Sequence, residues 1–156
     1  MLYIQVIVRR LQTAKYLLEK QNLKVNIDER FDERRPGKPN SDKVPDWYER
    51  QFFDENYKTE GGESQAEVRQ RMSEAFEEVV KDNKGKRIAI FSHGNAITFF
   101  LLKWCKLESV NINRNLCLSF NNKIVFNKRI NSPDVFKITL NDKNEVIDIE
   151  NIEFED

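Results

Sequence analysis

His93 is the one histidine of the chain. It lies in Arg87-Ile88-Ala89-Ile90-Phe91-Ser92-His93-Gly94-Asn95-Ala96, an apolar strand that ends in Ser-His-Gly and gives way to an apolar helix. Such a strand delivers the imidazole to the carboxyl edge of an α/β sheet, where ligands gather. Gly94 predicts a sharp turn and close approach of a ligand to the backbone. The helix beyond aims free N–H groups, and the positive end of its dipole, at the same spot. An imidazole placed there suits contact with phosphate. The plainer alternative is a histidine that only hydrogen-bonds at a strand end. The glycine and the apolar strand–helix frame favour the ligand reading.

Two further groups carry chemistry. Arg9-Arg10-Leu11-Gln12-Thr13-Ala14 follows an apolar strand and opens a helix. A guanidinium can hold two phosphate oxygens at once. Cations are disfavoured at a helix amino end, so Arg9 and Arg10 there point to an anion nearby. In Asp32-Glu33-Arg34-Arg35 the dense mixed charge reads first as solvated surface. Beside an anion, however, the Glu33 carboxyl would be driven toward its protonated form and could serve as a general acid.

The elements that must position these groups follow from pattern. Leu2–Val8 is a β-branched apolar run and predicts a strand buried on both faces. Arg9–Gln21 predicts a helix with Leu11, Ala14, Leu17 and Leu18 on one face, and Leu23–Ile27 a short strand or extended connection. Ser64-Gln65-Ala66-Glu67 has capping-box spacing and opens a helix to about Lys81. Arg87–Ser92 predicts a strand, and Asn95–Lys106 a helix apolar nearly all round and therefore buried. Val110–Ile130 is ambiguous: Asn121-Asn122 suits a hairpin, but part of the stretch could be helical. Val135–Leu140 alternates as a strand, Asn141–Asn144 turns, and Glu145–Glu150 returns. Residues of about 34–62 stand apart, rich in Pro, Gly, charge and aromatics. They predict a lid-like insert, with Pro45 opening a short helix through Phe53. The alternation of strand and helix predicts a single domain over 1–156, an α/β three-layer α/β/α sandwich with a mostly parallel sheet.

Composition narrows the function classes. Lys+Arg 26 and Asp+Glu 26 cancel to zero net charge, which argues against a global electrostatic grip on nucleic acid or anionic membrane. No apolar run approaches the ~20 residues a membrane span needs. Met1–Arg10 lacks the charged-then-apolar order of a signal peptide. Cys105 and Cys117 lie in apolar surroundings without ligand spacing and read as reduced thiols of a cytoplasmic protein. No metal-ligand cluster stands out.

These pieces, in this order, resemble the histidine phosphatase superfamily, also called phosphoglycerate mutase-like. Gly62-Glu63-Ser64, a helix with Arg69 and Arg71, and Ile90-Phe91-Ser92-His93-Gly94-Asn95 are similar to its Gly-Glu-Ser and terminal Ser-His-Gly segments. Ser132-Pro133-Asp134-Val135-Phe136-Lys137 resembles its late strand. Arg9-Arg10-Leu11-Gln12-Thr13-Ala14 resembles the end of Ser-Pro-Leu-x-Arg-x-x-x-Thr-Ala, with Gln5, Val6 and Ile7 in place of Ser-Pro-Leu. Arg30-Phe31-Asp32-Glu33, with Gly37 beyond, resembles Arg-Leu-x-Glu-x-x-x-Gly. The resemblance implies phosphomonoester hydrolysis or phosphoryl transfer through a phosphohistidine, without metal or other cofactor. It makes His93 the second histidine, Arg9 a phosphate-binding arginine and Glu33 the proton donor. Gly94 joins the phosphate contacts, with Arg10 and Arg34 as further candidates. The ligand it implies is a small phosphorylated molecule, or inorganic phosphate or sulfate.

The family's nucleophilic histidine, in an Arg-His-Gly strand, has no counterpart here. An alternative alignment sets Val8-Arg9-Arg10-Leu11-Gln12-Thr13 against Val-Arg-His-Gly-Gln-Thr, with Arg10 at the nucleophile's place. Arginine stays protonated and has no free lone pair, so it cannot attack phosphorus. Either way the chain is expected to be inactive or impaired as it stands. The resemblance also puts the missing strand inside the sheet, beside the strand of the second histidine. Three outcomes stay open: Leu2–Val8 moves into the place, two chains share strands as a homo-oligomer, or the fold is marginal. Three functions compete: a phosphatase lacking its nucleophile, a non-catalytic relative that binds phosphorylated ligands or a protein, and an α/β domain with a structural histidine.

Overall fold

The computed structural model describes residues 20, 26–38, 47–131 and 134–153, and the backbone of residues 2–6. Two sheets and three helices are built from them. The first sheet has the order β2-β1-β6-β7, where β1 is Leu2–Val6, β2 is Ile88–Ser92, β6 is Val135–Leu140 and β7 is Val146–Ile152. The second has the order β3-β4-β5, with β3 at Lys106–Val110, β4 at Asn115–Phe120 and β5 at Lys123–Arg129.

The mostly parallel sheet expected from the strand–helix alternation is not what forms. Only β1 and β2 run parallel, in the register Leu2↔Ile88 to Val6↔Ser92. The β1–β6, β6–β7, β3–β4 and β4–β5 ladders are all antiparallel. The cause is local. β3–β4, β4–β5 and β6–β7 are each joined by a short turn, and a short turn can only reverse the chain. Asn121 and Asn122 both take left-handed φ values of 49° and 63°, the geometry of a tight two-residue hairpin, which resolves the ambiguous stretch in favour of strands. Asn144, at φ 63°, turns the β6–β7 hairpin. The α/β class itself holds.

β1 lies between β2 and β6. It therefore stands beside the strand that leads to His93. The expected helix over Arg9–Gln21, the extended segment before Asn26 and the side chains of β1 fall outside the described residues, apart from Lys20.

The helices are α1 (Trp47–Phe53), α2 (Gln65–Asp82) and α3 (Gly94–Leu101). α2 starts with the capping box its sequence predicts: Ser64 Oγ accepts from the Glu67 N–H and Glu67 Oε2 from the Ser64 N–H. Its stripe of Val68, Met72, Ala75, Phe76 and Val80 is buried. α3 is shorter than the expected Asn95–Lys106. Its last turn ends at Leu102, whose N–H reaches the Phe100 and Thr98 carbonyls, and Lys106, already in β3, pairs with Ser119 of β4. Ala96–Leu101 are all buried, as an all-round apolar helix requires. Phe76, Phe100 and Trp104 meet with ring centroids 5.0–5.7 Å apart, joining α2 to α3. One apolar cluster includes these residues, Leu116, Leu118 and Phe126 of the second sheet, and Phe136, Ile138 and Ile149 of the first. Among the described residues no helix is long and apolar enough to cross a membrane.

Candidate functional site

β2 ends at the fully buried Ser92, and His93 follows as the residue capping α3, with extended φ of −128° and ψ of 162°. The strand–Ser-His-Gly–helix geometry read from the sequence is therefore in place. Gly94 works differently from expectation. Its φ is not left-handed, so no sharp turn demands glycine. A Cβ there would come within 3.2 Å of Ile130 Cγ2. The missing side chain makes room for the residue just beyond β5.

Glu33 comes to the same point. Its Oε1 accepts from the Ala96 N–H at 3.0 Å and from the Arg34 N–H at 2.8 Å. The carboxylate thus caps α3 from a segment 63 positions away in sequence. The expectation that all the first N–H groups of α3 stand free is corrected: Ala96 gives its own to Glu33. A carboxylate at a helix amino end is also stabilised by the dipole. The second oxygen, Oε2, has no hydrogen-bond partner among the described residues.

Arg34 sits beside it, 6% exposed, with its guanidinium 5.9 Å from the centre of the Phe99 ring in the second turn of α3. Burial draws its pKa below the ordinary arginine value, while the charges of Glu33 and Glu63 pull it back up. It makes no ion pair among the described residues. Glu33 is therefore brought to the start of α3 with His93 and Gly94, and the Arg34 guanidinium to the Phe99 ring of the same helix. Arg9 and Arg10 lie outside the described residues.

The segment carrying Glu33 and Arg34 is held by groups whose part the sequence did not reveal. The buried Ser92 hydroxyl donates to the Phe31 carbonyl at 2.7 Å. Arg71, on α2, holds the chain on both sides of Glu33. Its Nη1 donates to the carbonyls of Arg30 (2.6 Å) and Asp32 (3.0 Å), and its Nη2 to that of Glu33 (3.3 Å). The same guanidinium grips Glu63 through both carboxylate oxygens, at 3.0 and 3.1 Å. Burial alone would raise the Glu63 pKa. The Arg71 and Arg35 donors outweigh it and hold the carboxyl below its usual range. Arg69 faces elsewhere, bonding Gln65 and Glu55. Glu63 and Arg71 are thus the frame on which Glu33 and Arg34 are mounted.

α1 closes another side. Phe52 is buried, with its ring 5.2 Å from that of Phe99, and Tyr48 stacks edge-on against Phe52 at 5.3 Å. Around α3 the arrangement offers an imidazole, a helix amino end, a buried cation and a carboxyl oxygen that has no partner among the described residues. That is a set of groups able to hold an anion and to exchange a proton with it.

A family model, the histidine phosphatase superfamily (branch 1), matches residues 6–124. No curated protein matches the chain. Among solved structures, the native structure of a mycobacterial glucosyl-3-phosphoglycerate phosphatase is similar at a TM-score of 0.61 and 17% identity, over 97% of this chain and 75% of that one. A structure described as a mycobacterial hydrolase is similar at a TM-score of 0.58 and 18% identity, over 97% of this chain and 73% of that one. At such identities the likeness is one of fold.

Proposed function

This chain belongs to the histidine phosphatase superfamily, and on that premise we propose that it binds the phosphate group of a small phosphomonoester at His93 without turning it over by itself. The observation that supports the reading is the Glu33 carboxylate bound to the Ala96 N–H, which sets it at the start of α3 where His93 caps the helix. A phosphate there takes the N–H groups of Gly94 and Asn95, the His93 imidazole and the Arg34 guanidinium, with Arg9 as the family resemblance assigns it. Glu33 is the proton donor to a leaving oxygen, acting through Oε2 while Oε1 stays on Ala96. What is missing is a group to attack phosphorus. His93 is the one imidazole in the chain, and in this reading it binds rather than attacks. The aromatic segment around Tyr48 and Phe52 covers the site as a lid.

The test is paired. Inorganic phosphate should bind, as seen by calorimetry, and the binding should be lost in His93→Ala. Turnover of p-nitrophenyl phosphate should stay at background. Turnover that His93→Ala abolishes would overturn the inactivity. Phosphate binding that survives His93→Ala would overturn the site.

A further inference from the structure

α1 carries a buried polar group that nothing satisfies. Tyr48, Gln51 and Phe52 share one face of this helix, at the spacing i, i+3, i+4. Phe52 meets Phe99 of α3 and so joins the core. Gln51 beside it is only 1% exposed. Its side-chain oxygen, Oε1, is shut off from solvent and accepts no hydrogen bond. Among the described residues it is the one buried side-chain nitrogen or oxygen in that state. Its polar neighbours are all satisfied. The buried Gln65 uses both ends of its amide: Nε2 donates to the Gln51 and Phe52 carbonyls, and Oε1 accepts from Arg69. Ser64 and Glu63, also buried, are bonded to the Glu67 N–H and to Arg71.

The helix is also fastened unevenly. Just past its carboxyl end, the Glu55 carbonyl accepts from the Ala66 N–H at 2.9 Å and the Glu55 carboxylate pairs with Arg69. The two bonds that Gln65 gives to the helix itself are long, at 3.3 and 3.2 Å. Toward the amino end, among the described residues, the contacts are of rings: Trp47 on Tyr48, Tyr48 on Phe52, and the Arg114 guanidinium 5.2 Å from the centre of the Tyr48 ring. With seven residues α1 is too short to stay helical without packing. Two opposed forces therefore act on one face. Burial of Phe52 seats the helix. The unpaired Gln51 oxygen favours lifting it, because a buried acceptor without a donor costs its full desolvation, and water satisfies it once it is exposed.

We propose that α1 is a gate balanced between a seated and a lifted position, anchored at Glu55, with the Gln51 amide oxygen setting the balance. That the gate controls entry of phosphate rests on the site at His93 proposed above. In the seated position Phe52 covers Phe99, the ring that the Arg34 guanidinium also faces. In the lifted position that side of α3 is uncovered and Gln51 bonds water. A ligand enters and leaves through the lifted position, and the unpaired oxygen keeps that position populated.

Hydrogen exchange on the full chain, read by mass spectrometry, tests the balance. Gln51→Met keeps the shape of the side chain and removes the amide. Exchange of the α1 amides should slow about five- to hundredfold, the factor that one unsatisfied buried group corresponds to, while α2 exchanges as in the parent. Gln51→Glu sets a carboxylate in the same place and should speed exchange in α1. Stopped-flow tryptophan fluorescence with inorganic phosphate tests the gating. In Gln51→Met phosphate should bind and leave more slowly, both rates falling in step and Kd staying close to that of the parent. Exchange in α1 that is unchanged or faster in Gln51→Met, or that slows equally in α2, would overturn the balance. Slowed exchange with unaltered phosphate rates would overturn the gating alone. If phosphate does not bind the parent, the site at His93 falls and the gating with it, and the exchange result still decides the balance.

Discussion

Removing the Arg71 side chain should cost far more than its modest exposure suggests. The guanidinium makes two bonds to the Glu63 carboxylate and three to backbone carbonyls of residues 30–33. The two side chains are 19% and 8% exposed, so solvent screens the pair little. Arg71→Ala leaves Glu63 as a buried charge without its main partner, which costs about 3–5 kcal/mol. Arg71→Lys keeps the charge but cannot form the two-pronged grip or reach three carbonyls together, and should cost about 1–3 kcal/mol. Chemical denaturation measures both. A double-mutant cycle with Glu63→Gln should show coupling of at least about 1 kcal/mol. The same pair sets an acid limit. Because the folded-state pKa of Glu63 is depressed, its contribution is complete above the ordinary value of 4.5 and is lost as pH falls through the folded value. Stability should therefore drop in acid more steeply in the parent than in Arg71→Ala. The reasoning is refuted if Arg71→Ala costs under about 1 kcal/mol, or if the lysine variant matches the parent.

The glycines and cysteines give sharper local contrasts. Gly37 and Gly61 both have left-handed φ, 71° and 74°, but only at Gly37 would a Cβ collide, at 2.6 Å from the Gly62 nitrogen and 2.8 Å from the Glu60 carbonyl oxygen. Gly61→Ala should cost about 1 kcal/mol, the conformational penalty alone, and Gly37→Ala well above about 2 kcal/mol. Denaturation midpoints that coincide for the two variants would contradict this. Burial pushes the Cys105 thiol up to about 12, whereas Cys117 is only partly buried. Iodoacetamide at pH 8 should label Cys117 first and Cys105 only on unfolding, and comparable labelling rates in the folded protein would refute the contrast.

The strand, the imidazole and the start of the next helix were legible because they adjoin in sequence, and an apolar run ending at Ser-His-Gly has few other readings. The capping box at Ser64 was legible for the same reason. The end of α3 was not. Leu102 and Trp104 are apolar whether they continue a helix or pack in a turn, so composition could not show where the hairpins take over. The parallel sheet was over-read from strand–helix alternation, which governs β1 and β2 but says nothing of strands joined by turns. Glu33 was found through a resemblance, which also marked Glu63 and Arg71 but not that they frame it. Arg71 meets carbonyls 38–41 positions away, and no local pattern encodes that reach.

The bond from Ala96 to Glu33 has a consequence for how the site can be studied and how it can change. One carboxyl group is at once a peg in the scaffold and a candidate reagent. Deleting it by Glu33→Ala unmoors the start of α3, and with it the loop that presents His93, so a lost signal would not tell mechanism from geometry. Glu33→Gln keeps an oxygen for the Ala96 N–H while removing the acid. The same economy constrains drift in sequence: whatever chemistry the position does, it is held to residues able to accept that N–H.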